Sequence, residues 1–145
     1  MGSRSMELAE KIRYTLKGEM DESIRFLLLF GSQASTTAGP LSDIDVAVYI
    51  GRSVYKRDGP RAALKLGVLL ERGLKTEDVD VVVLNGANPA MRFNVIRACV
   101  PIVVQDEGEY EDFVVKVLSE YYDYLPFLEE QFRAARASLE EGAAQ

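Results

Sequence analysis

Five residues in this chain, Gly31, Ser32, Asp43, Asp45 and Asp80, have the types and spacing for phosphate and metal chemistry. Gly31-Ser32 closes a short apolar run, Ile24 to Phe30, and small polar residues follow from Gln33 to Gly39. A strand that ends in Gly-Ser and turns toward a helix presents free backbone N–H groups, which suit an anionic phosphate. Ten residues then separate Ser32 from Asp43-Ile44-Asp45 at the entrance of a second apolar run. Residues i and i+2 of a strand share a face, with Cα atoms about 6–7 Å apart. Two such carboxylates repel each other and are costly to bury unless a cation neutralises them. Mg²⁺ is the hard cation that takes one or two protein carboxylates and leaves room for substrate phosphates. Asp80 is embedded in Val79 to Leu84, on the strand face of Val82 and Leu84. A charge inside an otherwise apolar strand needs a reason. If that strand neighbours the second, Asp80 completes a three-carboxylate cluster; its competitor, Asp78, sits in the polar lead-in Thr76-Glu77-Asp78.

Each signal has a plainer reading on its own. Gly31-Ser32 also fits a strand-to-helix turn with a serine cap, and it is no Walker A loop, because no Gly-Lys-Ser/Thr follows. Ser42-Asp43 also fits a turn cap with Asp45 facing solvent. The combination is harder to dismiss: Gly-Ser and Asp-x-Asp at this fixed spacing arise by chance in roughly one chain in a few hundred. Composition narrows the chemistry further. There is no histidine, which excludes a Ser–His–Asp triad, an imidazole base, a His-ligated zinc and His-dependent RNase chemistry. The single cysteine, Cys99, cannot form an internal disulfide or a zinc cluster. Acid–base or metal chemistry must therefore run on carboxylates. The net charge of −6 gains nothing from counterion release, so direct nucleic-acid binding is not expected.

The elements that must position these residues follow from periodicity. At 145 residues with 48% hydrophobic and 28% charged positions, the chain is one globular domain rather than a disordered one. Leu8, Ile12 and Leu16 lie on one face of a helix ending near Gly18. Ile24 to Phe30, Ile44 to Ile50 and Val79 to Leu84 read as strands, the last terminated by Asn85-Gly86. Residues 60–74 suit a helix with Ala62, Leu66, Leu69, Leu70 and Leu74 inward. Asn88 caps a short helix with Pro89 in first position, and Met91, Val95 and Cys99 recur along it, making Cys99 a buried structural thiol. Ile102 to Val104 is an edge strand. From about Glu109 a long helix carries Phe113, Val117, Tyr121, Leu125, Leu128 and Phe132 as a stripe. Pro126 is expected to kink or break it, leaving the tail to project. Tyr121, Tyr122 and Tyr124 either pack this helix onto the sheet or form a protein-binding face. Helices alternating with strands make an α/β (α+β) domain. The expected organisation is a cloning remnant over 1–5, a core over 6–106 and a C-terminal helical extension of the same domain over 107–145. No apolar run is long enough for a membrane span and no signal peptide is evident, so the expected compartment is the cytoplasm.

Gly-Ser-x10-Asp-x-Asp followed by a later strand aspartate resembles the nucleotidyltransferase superfamily that includes DNA polymerase beta. The chain is most similar to its smallest members, the minimal nucleotidyltransferase (MNT) proteins, from about Met6 to Leu139. The strand ending Val83-Leu84-Asn85 looks like the family's third-carboxylate strand, and Asn88 to Gln105 looks like its following helix and strand. Tyr121-Tyr122-Asp123-Tyr124 is similar to the tail of MNT antitoxins that pair with HEPN-domain toxins. The resemblance implies a polymerase beta-like fold, with a small mixed sheet flanked by helices. It implies that Gly31 and Ser32 hold the phosphates of a nucleoside triphosphate, and that Asp43, Asp45 and Asp80 form a two-Mg²⁺ site. Asp80 would also help deprotonate the acceptor. The implied activity is transfer of AMP from ATP to a hydroxyl, a tyrosine of a HEPN RNase toxin, with this chain as antitoxin. A small-molecule acceptor of aminoglycoside type and a catalytically weak antitoxin that acts by binding are the alternatives; the small-molecule site would need a homodimer or a partner to complete it. Many relatives carry arginines where this sequence has Gln33, Ala34 and Ser35; Arg52, Lys56 and Arg57 are candidates to replace them.

Overall fold

The run Ile24–Phe30 is apolar at nearly every position because both of its faces are covered. In the computed structural model, which describes residues 3–34 and 43–144, it forms β1, with Phe26 to Leu29 fully buried. Its neighbours are β2 (Ile44–Ile50) and β4 (Val100–Val104), both antiparallel to it. The fourth strand, β3 (Val79–Val83), runs parallel to β2, giving the order β3-β2-β1-β4. The predicted edge strand thus lies at an edge, two residues longer than expected.

Alternation along the strands divides the core in two. Leu27, Leu29, Val46, Val48 and Ile50 face α1 (Ser3–Leu16) and α2 (Arg52–Leu74), packing on Ile12, Leu66 and Leu70. Phe26, Leu28, Phe30 and Ala47 face α3 (Pro89–Ile96) and α4 (Glu107–Ala144), packing on Val95, Phe113 and Val117. Four aromatic rings, Phe26, Tyr49, Tyr110 and Phe113, meet at this second face with centroids 4.9–5.2 Å apart. Asn88 caps α3 as expected, its side chain accepting from the Met91 N–H at 2.8 Å with Pro89 next in line.

Three helices depart from the sequence reading. Of the residues ahead of Met6, Ser3 to Ser5 belong to α1: Ser5 is buried and continues the inward face of Ala9, Ile12 and Leu16 at helical spacing. The helix expected over 60–74 begins eight residues earlier, at Arg52. Its first part ends where Asp58 leaves helical geometry (φ −160, ψ 38), and Pro60 then opens the expected segment, in the first turn where its missing N–H costs nothing. The long helix starts at Glu107, where the Asp106 carboxylate accepts from the Glu109 N–H at 3.0 Å, and it continues through Pro126 without breaking. Proline removes the bond to the carbonyl four residues back, that of Tyr122, which is 67% exposed, so water can take that carbonyl. Beyond Pro126 the helix does project: Phe127, Phe132 and Leu139 are all exposed.

Cys99 lies just past α3 and is half-buried against the second core face, with its thiol 3.5 Å from the Tyr110 hydroxyl. Burial pushes both groups above their ordinary pKa values. Among the described residues, no helix is long and apolar enough to cross a membrane.

Candidate active site

Parallel pairing of β2 with β3 brings two of the three candidate carboxylates together. Asp45 stands directly opposite Asp80, between the pairs Ile44–Val79 and Val46–Val81. Neighbouring strands lie about 4.8 Å apart, so the two side chains leave one face of the sheet side by side. That face is the one on which Ala47, Val82 and Leu84 join the second core. Asp43, exposed, is two residues ahead of Asp45 and has the same parity. Asp80 is exposed and Asp45 half-buried. Burial, then the Asp80 carboxylate, then that of Asp43 raise the pKa of Asp45 above its ordinary value, and all three influences push the same way. The charge is thus concentrated at one end of the sheet in a form that favours a cation.

The end of β1 completes this corner. Phe30 pairs with Asp45, and Gly31 follows in a 3-10 turn (Gly31–Ala34) with φ +73. A Cβ added to Gly31 would lie 3.2 Å from Asp45 Cγ and overlap Oδ2. Glycine here therefore serves two ends: it adopts the left-handed turn, and it leaves the space that the Asp45 carboxylate occupies. Ser32 lies in the same turn; its side chain, with residues 35–42, falls outside the described part of the structure.

Oxygen donors of this kind fit Mg²⁺, which uses one or two protein carboxylates and fills its other positions with water and substrate oxygens. Among the described residues, no three carboxyl, thiol or imidazole groups form a ready-made cage. A two-carboxylate anchor completed by phosphate does not require one.

The basic residues Arg52, Lys56 and Arg57 do not take the place of loop arginines. They begin α2 after the far end of β2, and the strand between Asp45 and Ile50 alone spans about 17 Å. They are exposed there as a solvated face. Two residues shape the strand ends: Asn85, read in the sequence only as a strand terminator, and Arg92, to which the sequence assigns no role. The Asn85 amide bonds the backbone of Ile50 twice, accepting from its N–H at 2.9 Å and donating to its carbonyl at 2.7 Å. Arg92 donates to the carbonyls of Leu84 and Asn85 at 2.9 and 2.8 Å, and its guanidinium lies 5.5 Å from the centre of the Phe113 ring. An asparagine directly after an apolar strand was the available signal for the first; nothing in the sequence marked the second.

A glycine turn, two adjoining strands and paired carboxylates at their common end define a nucleotidyltransferase architecture. The chain belongs to the polymerase beta nucleotidyltransferase family, whose model matches residues 10–108. Solved structures share the fold along nearly the full length. A toxin–antitoxin crystal structure with AMP-PNP contains a chain 24% identical, with TM-score 0.62, covering 94% of this chain and 98% of that one. A rebuilt structure of tri-AMPylated Shewanella oneidensis HEPN toxin in complex with MNT antitoxin gives 22% identity and TM-score 0.58, covering 97% and 99%. The toxin–antitoxin MntA-HepT gives 22% and 0.57 over the same shares. Comparison with curated proteins by sequence returns no match.

Proposed function

We propose that the protein is an Mg²⁺-dependent nucleotidyltransferase of MNT type that transfers AMP from ATP to a hydroxyl, a tyrosine of a HEPN toxin, and so acts as its antitoxin. The observation that carries this reading is the pairing of Asp45 with Asp80 beside the Gly31 turn. The structural neighbours support the nucleotide and the partner, since they include an AMP-PNP complex and an AMPylated HEPN toxin bound to its MNT antitoxin.

In this reading Asp43, Asp45 and Asp80 would hold two Mg²⁺ ions, and Gly31 and Ser32 would hold the outer phosphates through the turn. When bound, Mg²⁺ supplies neutralisation of charge on the transferring and leaving phosphate oxygens. Asp80 takes the proton of the acceptor hydroxyl. The acceptor oxygen then bonds to the α-phosphorus, the α–β anhydride bond breaks, and pyrophosphate leaves with the electron pair. Positioning and charge neutralisation account for most of such catalysis, so a chain without histidine is not handicapped.

The test is incubation with Mg²⁺, α-³²P-labelled ATP and a HEPN partner, alongside Asp43→Asn. Label on the partner, lost in the variant, is the expected outcome. A stable complex without label would refute the enzymatic reading and leave an antitoxin that acts by contact. The exposed Phe127, Phe132 and Leu139 of α4 would then be the first surface to examine.

A further inference from the structure

We propose that Asn85 is a positioning residue, whose side-chain amide pins the end of β2 to the turn after β3 and so sets the register that brings Asp45 beside Asp80. The inference rests on the catalytic reading above for its consequence, though not for its geometry.

The hydrophobic pattern of these strands does not fix that register unaided. A slip of one residue would turn every side chain to the wrong face and is excluded by burial. A slip of two residues keeps both faces. The inward positions of β3 are Val79, Val81 and Val83, three identical side chains, so sliding β2 by two still sets valine against two of Ile44, Val46 and Val48 and brings only the third, Val48 or Ile44, opposite Asn85 or Glu77. On the other face the same slip moves Asp45 from Asp80 to Val82 or Asp78. Either outcome takes Asp45 away from Asp80, in the second case leaving it beside Asp78. The residues at the ends of the valine repeat must therefore distinguish the native pairing.

Two contacts bracket the ladder. At its start the Ile44 N–H donates to the Asp78 carbonyl at 2.8 Å. At its end the backbone of β3 has already turned into a 3-10 segment (Leu84–Gly86), and can no longer offer strand hydrogen bonds to Ile50. Continuing the pairs Asp45–Asp80 through Val48–Val83 places Ile50 opposite Asn85. There the side-chain amide supplies both bonds that a strand backbone would have made, at 2.9 and 2.7 Å. Slipped by two, the Ile50 backbone loses both bonds, and the amide lies opposite Val48 or beyond the end of β2. Arg92 holds the turn itself, through the Leu84 and Asn85 carbonyls, so the amide is presented from a fixed backbone. A single polar contact that selects among otherwise equivalent registers is an established use of asparagine in packed structures.

The experiment compares wild type, Asn85→Ala and Asn85→Asp in the full chain. Aspartate keeps the acceptor for the Ile50 N–H and loses the donor to its carbonyl. Three readouts are taken: cross-strand NOEs between Val46 and Val81 and between Ala47 and Val82, Mn²⁺ affinity by EPR, and AMP transfer. In Asn85→Ala the native NOEs weaken by at least half, Mn²⁺ binds at least tenfold more weakly and transfer falls at least tenfold, while unfolding remains cooperative. Asn85→Asp lies between. Native NOEs and Mn²⁺ affinity in a variant that merely melts earlier would overturn the proposal, leaving Asn85 a structural clamp. If Asn85→Ala fails to fold, the Asp variant carries the same three measurements. A wild type that binds Mn²⁺ but transfers nothing refutes the catalytic reading alone, and the NOEs still decide the register.

Discussion

Replacing Gly31 by alanine separates two things that this glycine does, because Gly18 provides a matched control. Both hold a left-handed backbone, φ +73 at Gly31 and +80 at Gly18. A Cβ at Gly18 meets nothing within 4 Å, whereas one at Gly31 lies 3.2 Å from Asp45 Cγ and overlaps Oδ2. An L-residue in this conformation costs about 1–2 kcal/mol. The stiffening of the unfolded chain is common to both variants and cancels in the comparison. Only Gly31→Ala must also displace a carboxylate, and forcing a side chain about 30° off its rotamer adds roughly 0.5–1.5 kcal/mol. The larger consequence is catalytic. A reacting or ligating group misplaced by about 1 Å costs on the order of 100-fold in rate, roughly 2.7 kcal/mol of barrier.

Urea denaturation and label transfer to a HEPN partner read the two effects. Gly18→Ala should lose stability and keep full transfer. Gly31→Ala should lose somewhat more stability and about 100-fold in transfer, together with Mn²⁺ affinity. Transfer by Gly31→Ala within threefold of Gly18→Ala would refute the argument that this glycine makes room for Asp45.

Neutralising Asp45 should have opposite effects on function and stability. Asp45→Asn removes a half-buried charge opposed by Asp80 and Asp43, so thermal unfolding without divalent cations should rise by up to about 1 kcal/mol in stability while transfer is abolished. A fall in stability would show that the carboxylate makes a favourable contact. Alkaline pH should destabilise the protein through Cys99 and Tyr110. In the fold burial raises both above their ordinary values of 9.0 and 10.0, near which they ionise in the unfolded chain. Above about pH 9 the unfolded chain therefore binds fewer protons than the folded one, and stability declines as pH rises, by at most about 1.4 kcal/mol per pH unit for each group. Cys99→Ala with Tyr110→Phe should flatten a melting profile taken from pH 8 to 11; an unchanged slope would remove the pair from the account. Truncation after Tyr124 should leave the melting temperature of the core within a few degrees, because the helix beyond Pro126 buries little, yet weaken capture of a HEPN partner at least tenfold. Equal capture by both forms would exclude the projecting helix from the interface.

The parts of this structure legible in the sequence were those governed by short-range rules. The run Ile24–Phe30 announces a covered central strand because every position along it but Arg25 is apolar, and Asn88-Pro89 announces a helix start by cap chemistry. Asp-x-Asp and the lone strand aspartate Asp80 were visible as chemistry without structure. That Asp45 and Asp80 are neighbours was a conditional statement, because strand order is a tertiary property and the sequence pattern is equally compatible with other orders. The early start of α2 was hidden by Pro60, which reads as a helix beginning and is one, of a second segment. Continuity through Pro126 was hidden for the opposite reason: a proline on an exposed flank forfeits a bond that water replaces. Arg52, Lys56 and Arg57 looked near the site because they are near Asp45 in sequence, but a strand of seven residues carries the chain to the other end of the sheet.

The same sheet explains how so small a domain holds repelling charges in place. Asp45 is raised by burial and by two like charges, so the local energetics favour its retreat into solvent or its protonation. Its Cα has little freedom to allow this. It belongs to a strand bonded on one side to β1, buried at every position but Arg25, and on the other to β3, whose end is fastened by Asn85 and, through its turn, by Arg92. Hydrophobic burial on both faces of β1 thus supplies the stability, and polar contacts at the strand ends decide where the carboxylates stand. The division has a consequence for mutation. Core substitutions should lower stability with the Asp45–Asp80 pairing intact, whereas changes at Gly31 or Asn85 should disturb that pairing more than stability.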